Sequence, residues 1–262
     1  MKIVSLQPSV SLVLESLERL DCLVGCTKYC LEAVPSLRER ALAVVRDSWS
    51  SQTEEISALK PDLIIASVPY RQESLAAILK TGHPVLALAP HCLSDIYADI
   101  RLIGSVVNAS GSAEGVVEEM QREIAVIAGQ AARAASRPLV YCEEWGKPLI
   151  HSQPWVKELV EAAGGEFLGE AGLVTDAATI AAADPEVIVL AWCGAGGRVP
   201  VARVIAMRGW EGLRAARQDR AVCIPDELLN TPAPTLIAGL RALARVIHPE
   251  LFALPKGEFP PG

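Results

Sequence analysis

The chain has 262 residues, 51% of them apolar, which is enough for one large domain or for two lobes with cores of their own. A net charge of −7 with no basic run excludes nucleic acid or an anionic membrane surface as the main partner. No stretch approaches the roughly 18–20 uninterrupted apolar residues that a membrane span requires, so membrane insertion is excluded as well.

The chain opens Met1-Lys2 and runs into Ile3-Val4-Ser5-Leu6, a strand pattern rather than the charged and then apolar opening of an export signal. The seven cysteines are odd in number and their spacing forms no disulfide framework, which fits a reducing compartment. The expectation is a cytoplasmic protein. A periplasmic protein or lipoprotein whose signal has been removed would read the same way.

Short runs rich in Val, Ile and Leu predict strands near 2–6, 22–26, 62–66, 84–88, 138–142, 187–191 and 221–224. Helices are predicted near 10–19, 53–59, 72–80, 93–108, 154–163, 177–182, 200–206 and 233–246. Continuous apolar strands alternating with helices indicate mostly parallel sheets covered on both faces. Ser51-x-x-Glu54 has the spacing of a capping box before the helix at 53–59.

One module is written twice. Ala58 to Ala66 holds a Pro61-Asp62 turn and a buried strand, followed by a loop, a helix and the strand Pro84 to Leu88. Ala183 to Ala191 repeats this with Pro185-Glu186, a Gly-rich loop, a helix and the strand Ala221 to Pro225. Between the copies, residues 112–136 carry Val116, Met120, Ile124 and Ile127 at helical spacing, with no proline. A helix of about 25 residues would be roughly 37 Å long, more than one lobe needs. The predicted fold is therefore α/β, two Rossmann-like lobes joined by one long helix. The boundaries are 1–111 for the first lobe, 112–136 for the connecting helix and 137–248 for the second lobe, with a tail at 249–262. The last helix is expected to return to the first lobe.

The chemistry-bearing motifs are sparse. Cys22, Cys26 and Cys30 recur every four residues, but Leu23-Val24-Gly25 reads as strand, which would scatter the thiols. Cys142, Cys193 and Cys223 fall in or just after buried strands, where cysteine serves as a small hydrophobe. His91-Cys92 is a weak metal signal because the two residues are adjacent. The loop Cys193-Gly194-Ala195-Gly196-Gly197-Arg198 resembles a phosphate loop but lacks the Gly-Lys-Ser/Thr ending, so flexible backbone near a ligand is the better account. Glu143-Glu144 follows a strand, so the two carboxylates point to opposite faces: one faces a cleft and the other bonds locally. The stronger constellation is aromatic. Tyr29, Trp49, Tyr70, Trp145, Trp155 and Trp192 all fall at element ends, where open α/β sheets bind ligands.

The stretches Ile3 to Ser9, Leu59 to Ala66, Gly82 to Val85, Glu158 to Gly165 and Asp184 to Ile188 resemble class III, helical-backbone substrate-binding proteins of ABC importers. That group captures cobalamin, ferric siderophores or haem, and the resemblance covers about residues 2–249. Cobalamin binders look nearest because of Tyr29, Trp49 and Asp226. The resemblance implies a monomeric receptor holding a corrinoid or other metal chelate between its lobes. Contacts are expected from Pro8, Tyr29, Trp49, Tyr70, Trp145, Trp155, Trp192 and Asp226, with no catalytic residue, protein-bound metal or required cofactor. It also implies permease docking through one acid on each lobe. Glu73 fits the first position, but Ala178 stands at the second with Asp176 nearest, so stimulation of an importer is expected to be weak. The alternative is a metal-dependent or tetrapyrrole-processing enzyme using Glu143, Glu144, His91 and Cys92. A third reading is a cytoplasmic scaffold or sensor.

Overall fold

The computed structural model describes residues 1–252 apart from 48, 51 and 70. Ser51 of the expected capping box, Tyr70 of the expected aromatic set and most of the expected tail lie outside the described residues. The chain divides into two compact units, 1–119 with 232–234, and 120–231 with the residues from 235 on.

The first unit runs β1 (Ile3–Ser5), α1 (Pro8–Ser16), β2 (Leu23–Thr27), α2 (Lys28–Ala33), β3 (Ala43–Val45), α3 (Thr53–Ala58), β4 (Leu63–Ser67), α4 (Gln72–Leu79), β5 (Val85–Leu88) and α5 (Leu93–Val106). Its sheet is parallel throughout, in the order β3-β2-β1-β4-β5. Val4, Leu6, Ile64 and Ala66 pack with Ile56 and Ile78 from α3 and α4 on one face. The strand order reverses at β1, so the chain leaves the ends of β1 and β4 in diverging directions and opens a crevice there. Pro8 stands at the first position of α1, and the Gln7 side-chain amide donates to the Pro69 carbonyl across the crevice at 2.8 Å.

α6 (Ser110–Ala131) is unbroken and carries residues of both units. It begins two residues earlier and ends five residues earlier than its sequence pattern predicts. Pro138 holds the preceding residue extended, which discourages helix up to the next strand. Its buried stripe is Ala113, Val117, Met120, Ile127 and Ala131, so Val117 rather than the expected Val116 faces inward. At 22 residues it is about 33 Å long.

The second unit continues with β6 (Leu139–Gly146), β7 (Leu149–His151), α7 (Pro154–Ala162), β8 (Glu166–Phe167), β9 (Val174–Thr175), α8 (Ala177–Ala183), β10 (Val187–Leu190), α9 (Val201–Arg208), α10 (Arg214–Arg217), β11 (Ala221–Cys223) and α11 (Leu236–Ile247). The order is β11-β10-β6-β7-β9, with β8 also on β6. β10 is parallel to β6 and β11, whereas β7 and β9 are antiparallel additions that the repeated module does not contain. All seven expected strands form. The unexpected strands are two or three residues long, too short to display a hydrophobic period.

The last helix, expected over 233–246, is α11, and its apolar side lies on α7 within the second unit. Gly239 lets it approach the 3-10 turn Asp226–Leu228 closely, since a Cβ there would stand 2.0 Å from the Leu228 carbonyl oxygen. Gly115, on exposed α6, has open space at the same position. Gly→Ala in an open helix gains about 0.5–1 kcal/mol, while forced overpacking costs about 1–3 kcal/mol. Gly239→Ala should therefore lower the melting temperature by several degrees and Gly115→Ala should raise it slightly, as read by calorimetry.

Candidate functional site

The second unit's site is built on β6. Tyr141 and Glu143 point to one face of this strand, Cys142 and Glu144 to the other. Glu143 is fully buried, and a carboxylate taken out of water needs donors on both oxygens. Its Oε2 accepts from the Tyr141 hydroxyl at 2.5 Å and from Arg208 at 2.7 Å. Its Oε1 accepts from Trp192 Nε1 at 2.7 Å and from Arg208 at 2.8 Å. Arg208 ends α9, where a cation also suits the helix dipole. Its guanidinium lies 4.8 Å from the Trp210 ring centre and 5.9 Å from that of Trp192. Burial and the Glu143 charge push the Tyr141 hydroxyl far above its usual range, so it stays a donor.

Trp192 and Arg208 of this network line a cavity of about 650 Å³ at the carboxyl ends of β6 and β10. Trp145, Trp192, Val204 and Met207 supply apolar surface, with Arg203, Arg208 and Lys147 around it. Trp145 is 44% exposed, and its Nε1 donates to the Lys147 carbonyl at the hairpin turn. Gly146 is required where it stands, because a Cβ would sit 2.5 Å from the Trp192 ring.

On the other face of β6, Glu144 accepts from the Gln153 amide and from the Cys193 thiol, the latter at 3.4 Å. Burial, reinforced by the Asp226 charge, raises its pKa, although the two hydrogen bonds oppose the shift. Cys193 is raised as well, first by burial and then by Glu144, which favours its protonated thiol. The Gly-rich loop turns through Gly194 and Gly196, both at positive φ, and presents both their N–H groups to Asp226 at 2.9 and 2.8 Å. Its donors are thus filled by the chain's own carboxylate.

The first unit carries a second, more polar pocket of about 440 Å³ at the ends of β2 and β3. Lys28, Tyr29, Arg46, Asp47 and Glu55 line it. Trp49 is 55% exposed, with the Arg71 guanidinium 6.0 Å from its ring centre.

The expected site residues do not gather at one place. Trp145 and Trp192 meet at one cavity, Tyr29 lines the other, and Trp49 stays at the surface. Asp226 is spent on the glycine loop, and Pro8 starts α1. Trp155 is corrected to a core residue: it is 2% exposed, and its Nε1 donates to the Leu229 carbonyl at 2.8 Å. His91 and Cys92 stand at the start of α5, where Asp95 accepts the His91 backbone N–H, and no group of three or more metal-binding side chains gathers among the described residues. Of the expected acidic pair, Glu73 is exposed on α4, while Asp176 caps α8 by accepting from Ala178 N and Thr179 N. Sequence reasoning missed Arg208, Arg203 and Met207. Glu143 at the end of an apolar run was the available signal, since a buried acid demands a cation.

The arrangement offers surfaces and charges but no nucleophile paired with a base. The chain belongs to the periplasmic binding protein family, which it matches over residues 3–228. It is 25% identical, over a 267-residue alignment, to an uncharacterized ABC transporter substrate-binding lipoprotein, YvrC, of Bacillus subtilis, covering 96% of this chain and 81% of that protein. Its fold is that of the periplasmic heme-binding protein RhuT from Roseiflexus sp. RS-1 (TM-score 0.81, 22% identity, 95% of this chain and 98% of that one). A periplasmic heme-binding protein from Pseudomonas aeruginosa superposes with a TM-score of 0.84 at 22% identity, covering 95% and 93%. The periplasmic vitamin B12-binding protein BtuF of Vibrio cholerae does so at 0.76 and 20%, covering 94% and 96%. The expected family is borne out, and with it a binding protein rather than an enzyme. The expected cytoplasmic location is overturned: the family is periplasmic and the Bacillus relative is a lipoprotein. Cysteines buried as small hydrophobes do not report on the compartment.

Two tests follow from this geometry. Arg208→Leu leaves the Glu143 charge buried without its cation, a change that typically costs about 3–5 kcal/mol. The melting temperature should fall by on the order of 10 °C, and an unchanged melt would show that Glu143 does not need Arg208. The second test concerns pH. His151, 4% exposed, has an unpartnered Nδ1 and lies edge-on to Tyr141. Burial lowers its pKa, against the pull of Glu143. The unfolded chain then binds a proton that the folded chain resists, so stability falls as pH drops below about 6.5. Asp99, pushed up to about 6 by burial and Asp95, acts in the opposite sense, so the comparison must be between variants. Chemical denaturation of His151→Gln from pH 7 to pH 5 should show a smaller loss on acidification than the wild type.

Proposed function

We propose that this protein is the substrate-binding receptor of an ABC importer and that its ligand is a tetrapyrrole-type metal chelate, a corrinoid or a haem. The observation that carries this reading is the cavity between Trp145, Trp192 and Met207, flanked by Arg203 and Lys147, with Arg208 already engaged by Glu143. Flat aromatic surface beside fixed cations suits a broad macrocycle with polar or anionic groups at its edge. The names of the related receptors, for heme and for vitamin B12, support the same class. The corrinoid reading rests on Tyr29 and Trp49, which remain open to solvent, while Asp226 is engaged elsewhere. The cationic rim favours haem, whose edge carries carboxylates. Glu73, 79% exposed at its side chain, is the docking acid for a permease. The second unit offers only Ala178 at the matching place, so transport with a non-cognate permease should be weak.

Titration with haemin and with hydroxocobalamin, followed by tryptophan quenching, tests the reading. One of the two should quench the emission of Trp145 and Trp192, the indoles that line the cavity. Trp145→Ala and Trp192→Ala should each weaken binding several-fold, in line with about 0.5–1.5 kcal/mol of stacking. Arg203→Ala should weaken haemin binding more than cobalamin binding. If neither chelate binds, the ligand class is wrong.

A further inference from the structure

Cys26 lies near the end of β2, Thr27 caps α2, and Cys30 is the third residue of that helix. Thr27 Oγ1 accepts from the Cys30 backbone N–H at 3.2 Å, which folds the first turn of α2 back over the strand end. Both thiols are fully buried and reduced, and they gather at Ser5: Cys26 is its register partner on β2, and Cys30 Sγ packs against its hydroxyl. Around Cys30 Sγ stand Thr27 Oγ1 at 3.2 Å, Ser5 Oγ at 3.7 Å and the Ser5 carbonyl at 3.9 Å, with the Ser11 hydroxyl 2.9 Å from that of Ser5. Structural cysteines that serve only as hydrophobes do not need a cage of hydroxyls.

We propose that Cys26 and Cys30 are a disulfide-forming pair, closed by exchange with an external small-molecule or protein disulfide, and that the bond fixes the turn bearing Lys28 and Tyr29. The compartment of the family is one in which disulfides persist. Cys30 sits on the short α2, the element whose opening exposes it, so it is the attacking thiolate. It displaces one thiolate from the external disulfide and becomes a mixed disulfide. Cys26 then loses its proton to solvent and attacks the Cys30 sulfur, expelling the second external thiolate. Two protein thiols are oxidised, and one external disulfide is reduced to two thiols. Because both sulfurs are buried, the exchange belongs to the folding chain or to opening of the six-residue α2. The bond would stiffen one wall of the first unit's pocket, which Thr27, Lys28 and Tyr29 line.

Full-length protein refolded with oxidised glutathione, alkylated under denaturing conditions and digested without reduction provides the test. The peptide holding both residues should be unalkylated and lighter by two hydrogens, and should take up two alkyl groups after reduction. Cys22→Ala should give the same result, whereas Cys30→Ser should abolish it. Finding both residues alkylated, Cys30 still carrying glutathione, or either residue joined to Cys22 would overturn the proposal. Full-length protein exported to a bacterial periplasm and mapped in the same way is read by the same criteria.

Discussion

A carboxylate without water must be surrounded by donors, and the second unit is arranged around meeting that demand for Glu143. Four hydrogen bonds from three side chains converge on it. Each bond fixes something else. Tyr141 is locked into the core beside Trp210, Trp192 is turned so that its ring faces the hairpin, and Arg208 is held at the end of α9 with its plane near two indoles. Gly146 follows as a steric necessity of the Trp192 ring. The cavity wall is therefore rigid for an electrostatic reason, and preorganised recognition surfaces avoid the entropic cost of ordering side chains on binding.

The repeated module was legible because apolar strands buried on both faces leave a continuous signal. Ile64-Ile65-Ala66 and Val187-Ile188-Val189-Leu190 could be placed without any partner. The hairpin of β6 and β7 was not legible. Its tip, Trp145-Gly146-Lys147-Pro148, mixes aromatic, charged and turn residues, and pairing with β9 comes from a segment more than twenty residues on. Thus the expectation of mostly parallel sheets holds fully in the first unit and only for β6, β8, β10 and β11 of the second.

The candidate site was legible in kind but not in membership. Aromatic residues at strand ends pointed to Trp145 and Trp192, because an indole outside a regular element has no core to fill. The same argument failed for Trp155. Its place at the start of the helix expected over 154–163 suggests an exposed element end, but α7 buries the ring in its first turn. Arg208 escaped notice because a single arginine at a helix end is ordinary on a surface. Only the burial of its acidic partner, a tertiary fact, makes it special.

The glycine loop invites one more thought. Its two backbone donors form an anion-binding concavity, and Asp226 occupies it as a tethered counter-ion. Asp226→Ala would return both donors to water. The loop at the cavity edge thus takes its shape from an acid some thirty residues further along the chain, so a change at Asp226 reaches the site without touching it.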